Sequence, residues 1–146
     1  MTAKGADDRR WNRDYGVLYG ILEQKWQSLG TESDTSVQRE TRIKRCEQWA
    51  SQQFMAQSVE WPGEIGNIWV DEDKTGAKRV HVNFAVGHVD GPRATYRRLL
   101  TNLQPRDAPN IPKGSGAVLC ARIADIVFRG GIQVSIGNSV TIRLRR

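Results

Sequence analysis

The stretch Arg79-Val80-His81-Val82-Asn83-Phe84-Ala85-Val86 alternates large apolar side chains with polar or small ones over eight positions. A period of two places the apolar side chains on one face of a β-strand and the others on the opposite face. Before it, the apolar run 59–70 is interrupted by Gly63 and Gly66, and the polar turn 71–76 joins the two runs. Together they predict a β-hairpin whose first strand has a bulge or a sharp coil near its glycines.

Matching the apolar faces of these two strands predicts the register of the hairpin, because a slip of one residue would turn every side chain to the other face. Trp69 then lies opposite His81 on the outer face of the sheet. The other predicted pairs are Ile68 with Val82, Val70 with Val80, and Asn67 with Asn83.

The C-terminal part of the chain predicts three further strands. The long run 116–128 turns at Arg129-Gly130-Gly131, and the segments 132–136 and 140–144 alternate apolar and polar residues. A loop of three residues, Gly137-Asn138-Ser139, lets these last two segments pair as a hairpin with their apolar side chains inward and with Gln133 opposite Arg143. The segment 92–103, by contrast, has the spacing of a short helix.

The first 57 residues predict helices. Apolar residues recur every three or four positions over 11–29 and again over 43–54, which is the spacing of one helix face. Thr35 and Gln38 have the spacing of a capping box before the second of these segments. The change of period near residue 57 therefore divides a helical part of the chain from a β part.

The stretch Val59-Glu60-Trp61-Pro62-Gly63-Glu64-Ile65-Gly66-Asn67-Ile68, followed by an acidic turn and an alternating strand, resembles the opening hairpin of small bacterial OB-fold domains. In that family a helix leads into a strand of the form V-x-W-x-G-x-I/V. The resemblance covers residues 58–146 and implies a five-stranded antiparallel OB-like β-barrel with a binding role and no catalytic residues. We therefore expect one α+β domain, in which a helical segment at 1–57 packs on the barrel at 58–146.

Positive charge is concentrated in the C-terminal part of the chain. Residues 91–146 have ten Lys and Arg against two acidic residues, a net +8, whereas residues 1–90 have 12 against 14, a net −2. The total of +6 thus belongs to the C-terminal part, and this favours an anionic partner, either nucleic acid or an acidic protein surface.

Binding of single-stranded nucleic acid is the function that these features favour. It requires cations that meet phosphates and exposed flat rings on which bases stack, and nine of the ten C-terminal cations are arginines. Charge and stacking are features common to all bases, so little sequence preference is expected. The predicted contact residues are Trp69, His81, Arg97, Arg98, Arg122, Arg129, Arg143 and Arg145, with Tyr96 as a further aromatic candidate. The alternative for Trp69 is that an N-terminal helix covers it.

A protein-interaction role is the competing hypothesis. Trp11, Trp26 and Trp49 on the two predicted helices are large anchors, and Trp and Arg are favoured at the centres of interfaces. On this hypothesis the chain docks on a partner in a multiprotein assembly. The dependence of affinity on salt concentration distinguishes the two functions, because phosphate binding weakens steeply as salt rises, whereas binding through an interface centred on Trp does not.

No catalytic or metal-binding motif stands out. His81 and His88 have opposite parity on one strand, and no nucleophile-elbow sequence surrounds any serine. The acidic turn 71–73 also lacks the spacing of a calcium loop. We therefore predict a protein that is not an enzyme and that holds no cofactor and no metal ion.

Cys46 and Cys120 allow at most one disulfide, although free thiols are favoured in a cytoplasmic protein, with Cys120 buried. No apolar run approaches the roughly 20 residues of a membrane span, and the first residues lack the apolar stretch of a signal peptide. A cytoplasmic location is the expectation, and a mature exported chain is the alternative.

Overall fold

Two α-helices precede a curled antiparallel sheet in the computed structural model of the chain, which describes residues 9–30, 35–88, 90–137 and 140–145. After a 3₁₀ turn at Arg9–Asn12, helix α1 spans Tyr15–Ser28 and helix α2 spans Ser36–Phe54. The six strands are β1 (Ser58–Glu72), β2 (Lys78–Gly87), β3 (Arg93–Leu100), β4 (Gly116–Val127), β5 (Gln133–Ile136) and β6 (Thr141–Leu144), with a short 3₁₀ helix at Ala108–Asn110 between β3 and β4. The α+β class is confirmed.

Both helices begin at a side-chain cap. Asp14 Oδ1 accepts a hydrogen bond of 2.9 Å from the backbone N–H of Gly16 at the start of α1. Before α2, the Gln38 N–H donates to Thr35 Oγ1 at 3.2 Å and the Thr35 N–H donates to Gln38 Oε1 at 2.8 Å. The predicted capping box is therefore present, and these contacts satisfy backbone N–H groups that a helix start leaves without intrahelical partners.

The first hairpin has the predicted register. Strands β1 and β2 pair Val70 with Val80, Trp69 with His81, and Ile68 with Val82. The register then shifts between Ile65 and Ile68, so the predicted bulge near Gly66 is confirmed. The predicted pairing of Asn67 with Asn83 falls inside this irregular stretch and does not belong to the regular ladder.

The segment predicted to be a short helix, 92–103, is instead largely strand β3, which pairs antiparallel with β2. The prediction is wrong because a second bulge interrupts the alternation of this strand. Arg98 has a φ of +53°, and the register shifts there. As a result Tyr96 and Leu99, three positions apart, pair with the inner-face residues Phe84 and Val82. A bulge of this kind mimics the spacing of a helix face.

The last two strands do not pair with each other as predicted. Strand β5 pairs antiparallel with the second half of β4, and β6 pairs antiparallel with the first half. The two strands therefore run in the same direction along β4, and the pairing of Gln133 with Arg143 is wrong. Alternation specifies which face of a strand is buried but not which strand is its neighbour, and the 12 residues of β4 accommodate both partners.

The turn between β4 and β5 lies where the sequence predicts it. Gly130 and Gly131 have φ values of +70° and +113°, in the region that favours glycine. Of the predicted loop 137–139, Asn138 and Ser139 lie outside the described residues. Of the side chains predicted to point inward, Val134, Val140 and Ile142 are buried, Ile132 and Ile136 are half-buried, and Leu144 is exposed.

The sheet curls into a half-barrel whose strand order is β3-β2-β1-β4-β5, with β6 also on β4. Its two ends approach each other, because Tyr96 Oη in β3 donates to the Val134 carbonyl in β5 at 2.7 Å and the Ile142 N–H in β6 donates to Asn102 Oδ1 at 2.7 Å. The buried side chains of both helices pack with the inner face of the sheet in one core. The outer face of the sheet is thus on the side away from that core.

Candidate nucleic-acid interface

Three of the predicted contact residues meet on the outer face of β1, β2 and β3. Trp69 lies opposite His81 across the first hairpin. The guanidinium carbon of Arg98 lies 5.9 Å from the centre of the Trp69 ring, which is a cation–π contact. We call Trp69, His81 and Arg98 the outer-face cluster.

The bulge in β3 positions Arg98. Its φ of +53° is unusual for a residue with a side chain, and its backbone N–H donates to Asn83 Oδ1 at 3.1 Å. Bulges re-aim side chains at the surface of a sheet. The side-chain amide of Asn83 in β2 therefore supports the conformation that brings the Arg98 guanidinium towards Trp69.

The ring of Trp69 is half-buried, and no aromatic ring of the described parts of α1 or α2 contacts it. Helix α1 approaches β2 at His88, where Gly16 lies close to the imidazole, and not at the end that carries His81. The described contacts thus include none in which an N-terminal helix covers Trp69. The half-buried ring and the exposed Arg98 guanidinium thus lie side by side on the outer face.

One acidic residue belongs to the surroundings of the cluster. Asp71 Oδ2 lies 3.6 Å from His81 Nε2, and the His81 side chain is 25% exposed. Asp71 is two residues beyond Trp69 on the same face of β1. This carboxylate lies close to the imidazole, and Arg98 is the exposed cation of the cluster.

A shallow groove continues from the outer-face cluster along β2. It has a volume of about 150 Å³, and its lining includes Gly66, Asn83, Ala85, Thr95 and Lys113. Glu64 of β1 also lines it, and Lys113 contributes an exposed cation from the loop before β4.

Beyond this groove lies a second cleft of about 270 Å³, which we call the arginine cleft. Arg13, Arg93 and Arg145 line it together with His88. Of these four residues, only Arg145 belongs to the contact residues predicted from the sequence. Arg93 is one of the ten C-terminal cations, in a segment that the sequence predicts to be helical, and no sequence pattern connects Arg13 with those cations.

The other predicted arginines do not join the outer-face cluster. Arg97 is exposed on β3 next to Arg98, and Arg122 is exposed on β4, beside a separate shallow groove with Cys120. Arg143 Nη2 donates to Glu60 Oε1 at 3.1 Å. Arg129 is bound to Glu40 of α2, and this hydrogen bond raises the pKa of the guanidinium and lowers that of the carboxyl. The cations of Arg129 and Arg143 are thus occupied by internal ion pairs.

Tyr96 is not a stacking platform. Its side chain belongs to the inner face, opposite Phe84, and burial raises the pKa of its hydroxyl far above the usual value. The hydroxyl bonds to the Val134 carbonyl and so ties together the two ends of the sheet.

Both cysteines are free, as the sequence favours. Cys46 is buried but Cys120 is only half-buried, and burial raises the pKa of both thiols. Within the described ranges, no three His, Cys, Asp or Glu side chains come together as a metal site. No helix in the same ranges is both long and apolar enough to cross a membrane.

Comparisons of the chain with protein-family models, with curated proteins and with solved structures gave no match.

Proposed function

We propose that this chain binds single-stranded nucleic acid on the outer face of β1, β2 and β3, with little sequence preference. The observation that carries the proposal is the position of the Arg98 guanidinium over the half-exposed ring of Trp69. On binding, the Arg98 guanidinium moves from the ring to the adjacent phosphate and a base stacks on the indole in its place; both contacts are independent of base identity. The protein then acts as a binding module and not as an enzyme.

The strand order supports the proposal. We propose that the half-barrel is an OB barrel in which β5 and β6 count as one interrupted strand. The order β3-β2-β1-β4-β5 and the hydrogen bond of Tyr96 in β3 to β5 support this. In OB-folds the face of the second and third strands binds oligonucleotides. The outer-face cluster has residues on both of these strands and on β1.

Binding of a fluorescent octathymidylate at rising salt tests the proposal. Trp69→Ala should weaken binding by roughly 1–3 kcal/mol at every salt concentration, because the stacking contact is lost. Arg97→Ala/Arg98→Ala should also reduce the slope of log K against log salt, by about 0.7 for each lost phosphate contact.

Lys44→Ala/Arg45→Ala is the matched control, because it removes two exposed cations from α2, on a different element from the outer-face cluster. It should leave both affinity and slope close to those of the wild type. No binding by the wild type at low salt would overturn the proposal.

A second candidate function is docking on a protein partner, and one observation favours it. Trp26 stacks on Phe128, and the guanidinium groups of Arg39 and Arg42 lie over its ring in cation–π contacts. The ring borders a cleft of about 210 Å³. Trp11, by contrast, is only 9% exposed, and Trp49 packs edge-on against Phe54. Trp26 is therefore the best placed of the three predicted anchors to contact a partner.

A further inference from the structure

The arginine cleft brings together cations from three distant parts of the chain. Arg13 precedes α1, Arg93 begins β3, and Arg145 follows β6, and all three are exposed. Among the described residues, none of the three guanidinium groups has an ion pair or a side-chain hydrogen bond. They differ in this from Arg129 and Arg143, whose charges are met by Glu40 and Glu60.

Backbone geometry forms the walls of this cleft. Gly87 has a φ of +102°, and a Cβ at this position would lie 2.0 Å from the Pro92 carbonyl oxygen. The chain therefore turns tightly between β2 and β3, which brings His88 and Arg93 to the same end of the sheet. At Gly116 a Cβ would lie 3.3 Å from the Arg145 guanidinium, so this side chain approaches the sheet closely at that point.

Two carboxylates also line the cleft, and they do not neutralise it. Asp14 accepts from the Gly16 N–H at 2.9 Å and lies 3.5 Å from His88 Nε2, so it is engaged as the cap of α1. Glu64 is exposed and forms no ion pair with a described residue. Three guanidinium groups against two carboxylates leave a net positive charge before any protonation of His88.

We propose that the arginine cleft binds a phosphate group. Guanidinium groups fork to phosphate oxygens through paired N–H donors, and three arginines line this one cleft. A phosphate ligand would supply a partner for these three cations, which form no ion pair with any described residue.

If the proposed function holds, this phosphate belongs to the same nucleic-acid strand whose base stacks on Trp69. Strand β2 has six residue steps between His81 and Gly87, about 20 Å at the usual rise per residue. The groove between them shares Glu64 and Ala85 with the cleft, so the two are adjacent. A single-stranded nucleic acid that runs from the outer-face cluster through the groove to the arginine cleft would place on the order of four nucleotides there, the lower limit of the site size of an OB barrel.

The double variant Arg93→Ala/Arg145→Ala tests this inference with the fluorescent octathymidylate. We expect binding at least about tenfold weaker at low salt, because two charge-assisted contacts are lost. The slope of log K against log salt should fall by about 1.4, which is 0.7 for each phosphate contact. Lys44→Ala/Arg45→Ala again serves as the control. A wild-type slope and affinity in the Arg93/Arg145 variant would overturn the inference while leaving the proposed function intact.

Titration with sodium pyrophosphate tests phosphate binding at the arginine cleft independently of nucleic-acid binding at the outer-face cluster. The arginine Nε–H resonances of Arg13, Arg93 and Arg145 should shift together and saturate, while those of Arg45 and Arg106 stay unchanged. Saturation of the cleft in a protein that does not bind the oligonucleotide would overturn the proposed function and support a site for a free phosphate compound. Equal small shifts of all exposed arginines, or none at all, would overturn the cleft as a phosphate site.

Discussion

The indole Nε1–H of Trp61 donates a hydrogen bond of 2.9 Å to the carbonyl oxygen of Trp11, 50 residues earlier in the chain. Trp61 is fully buried in β1, and its ring meets Tyr15 of α1 edge-on with a centroid distance of 5.2 Å. This contact links the start of the helical part to the inner face of the sheet. Since β1 also carries Trp69 on its outer face, the same strand connects the core with the outer-face cluster.

Trp61→Phe should destabilise the fold by about 2–4 kcal/mol. The change removes the indole donor, leaves the buried Trp11 carbonyl without that partner, and opens a small cavity. Urea unfolding followed by circular dichroism measures the loss. Trp69→Phe is the control and should cost less than about 1 kcal/mol, since that ring is half-exposed. Equal losses for the two variants would show that Trp61 is not the link between helices and sheet.

Two glycine-to-alanine variants should change stability in opposite directions. A Cβ on Gly63 would lie 2.0 Å from the Ala85 carbonyl oxygen and 2.6 Å from Phe84 Cε1, so Gly63→Ala forces β1 and β2 apart and should cost about 1–3 kcal/mol or more. Gly20 is exposed within α1, and a Cβ there meets no atom within 4 Å. Gly20→Ala should therefore stabilise the protein by about 0.5–1 kcal/mol. Thermal unfolding compares the two, and destabilisation by both would be inconsistent with the packing described.

The pairing of β6 with β4 predicts that substitutions at two neighbouring residues, Ile142 and Arg143, have very different effects on stability. Ile142 is 2% exposed and lies opposite Leu119. Ile142→Asp should cost several kcal/mol, because it places an unpaired charge in the core. Arg143→Ala removes only an exposed ion pair with Glu60 and should cost about 0–1 kcal/mol. Similar shifts in melting temperature for both variants would contradict this orientation of β6.

The turn between β1 and β2 should lose stability at acid pH through Asp73. Hydrogen bonds from Thr75, first from its hydroxyl and then from its backbone N–H, hold the pKa of this carboxyl below its usual 3.8. A depressed pKa contributes stability above the unfolded value, and the contribution is lost as pH falls through the folded pKa. Asp73→Asn should therefore have a lower melting temperature than the wild type at neutral pH, and this difference in melting temperature should disappear as pH falls below 3.8. A difference that stays constant into acid would contradict this assignment.

The sequence predicts the parts of the fold that depend on neighbours along the chain. The Thr35 and Gln38 capping box spans only four residues, and the register of Trp69 with His81 follows from matching two buried faces across a short turn. The predictions for β3 and β6 are wrong where a bulge or the choice of a partner strand decides the structure. No local pattern specifies either, because the energy of each depends on contacts between distant segments.

The same division applies to the candidate site. The hairpin register predicts that Trp69 and His81 are adjacent, but the placement of Arg98 beside them requires β3 to be a bulged strand. Arg129 and Arg143 are occupied by carboxylates 89 and 83 residues away, which composition alone does not reveal.

The indole N–H resonance of Trp69 gives the most direct test of nucleic-acid binding at the outer-face cluster. It is assigned by its absence in Trp69→Phe and followed while octathymidylate is added at low salt. We expect this resonance to shift and saturate with the oligonucleotide, to return towards its free position as salt rises, and to move more than that of Trp26. A Trp69 resonance that stays unchanged while the oligonucleotide binds, or a larger shift at Trp26, would contradict the account.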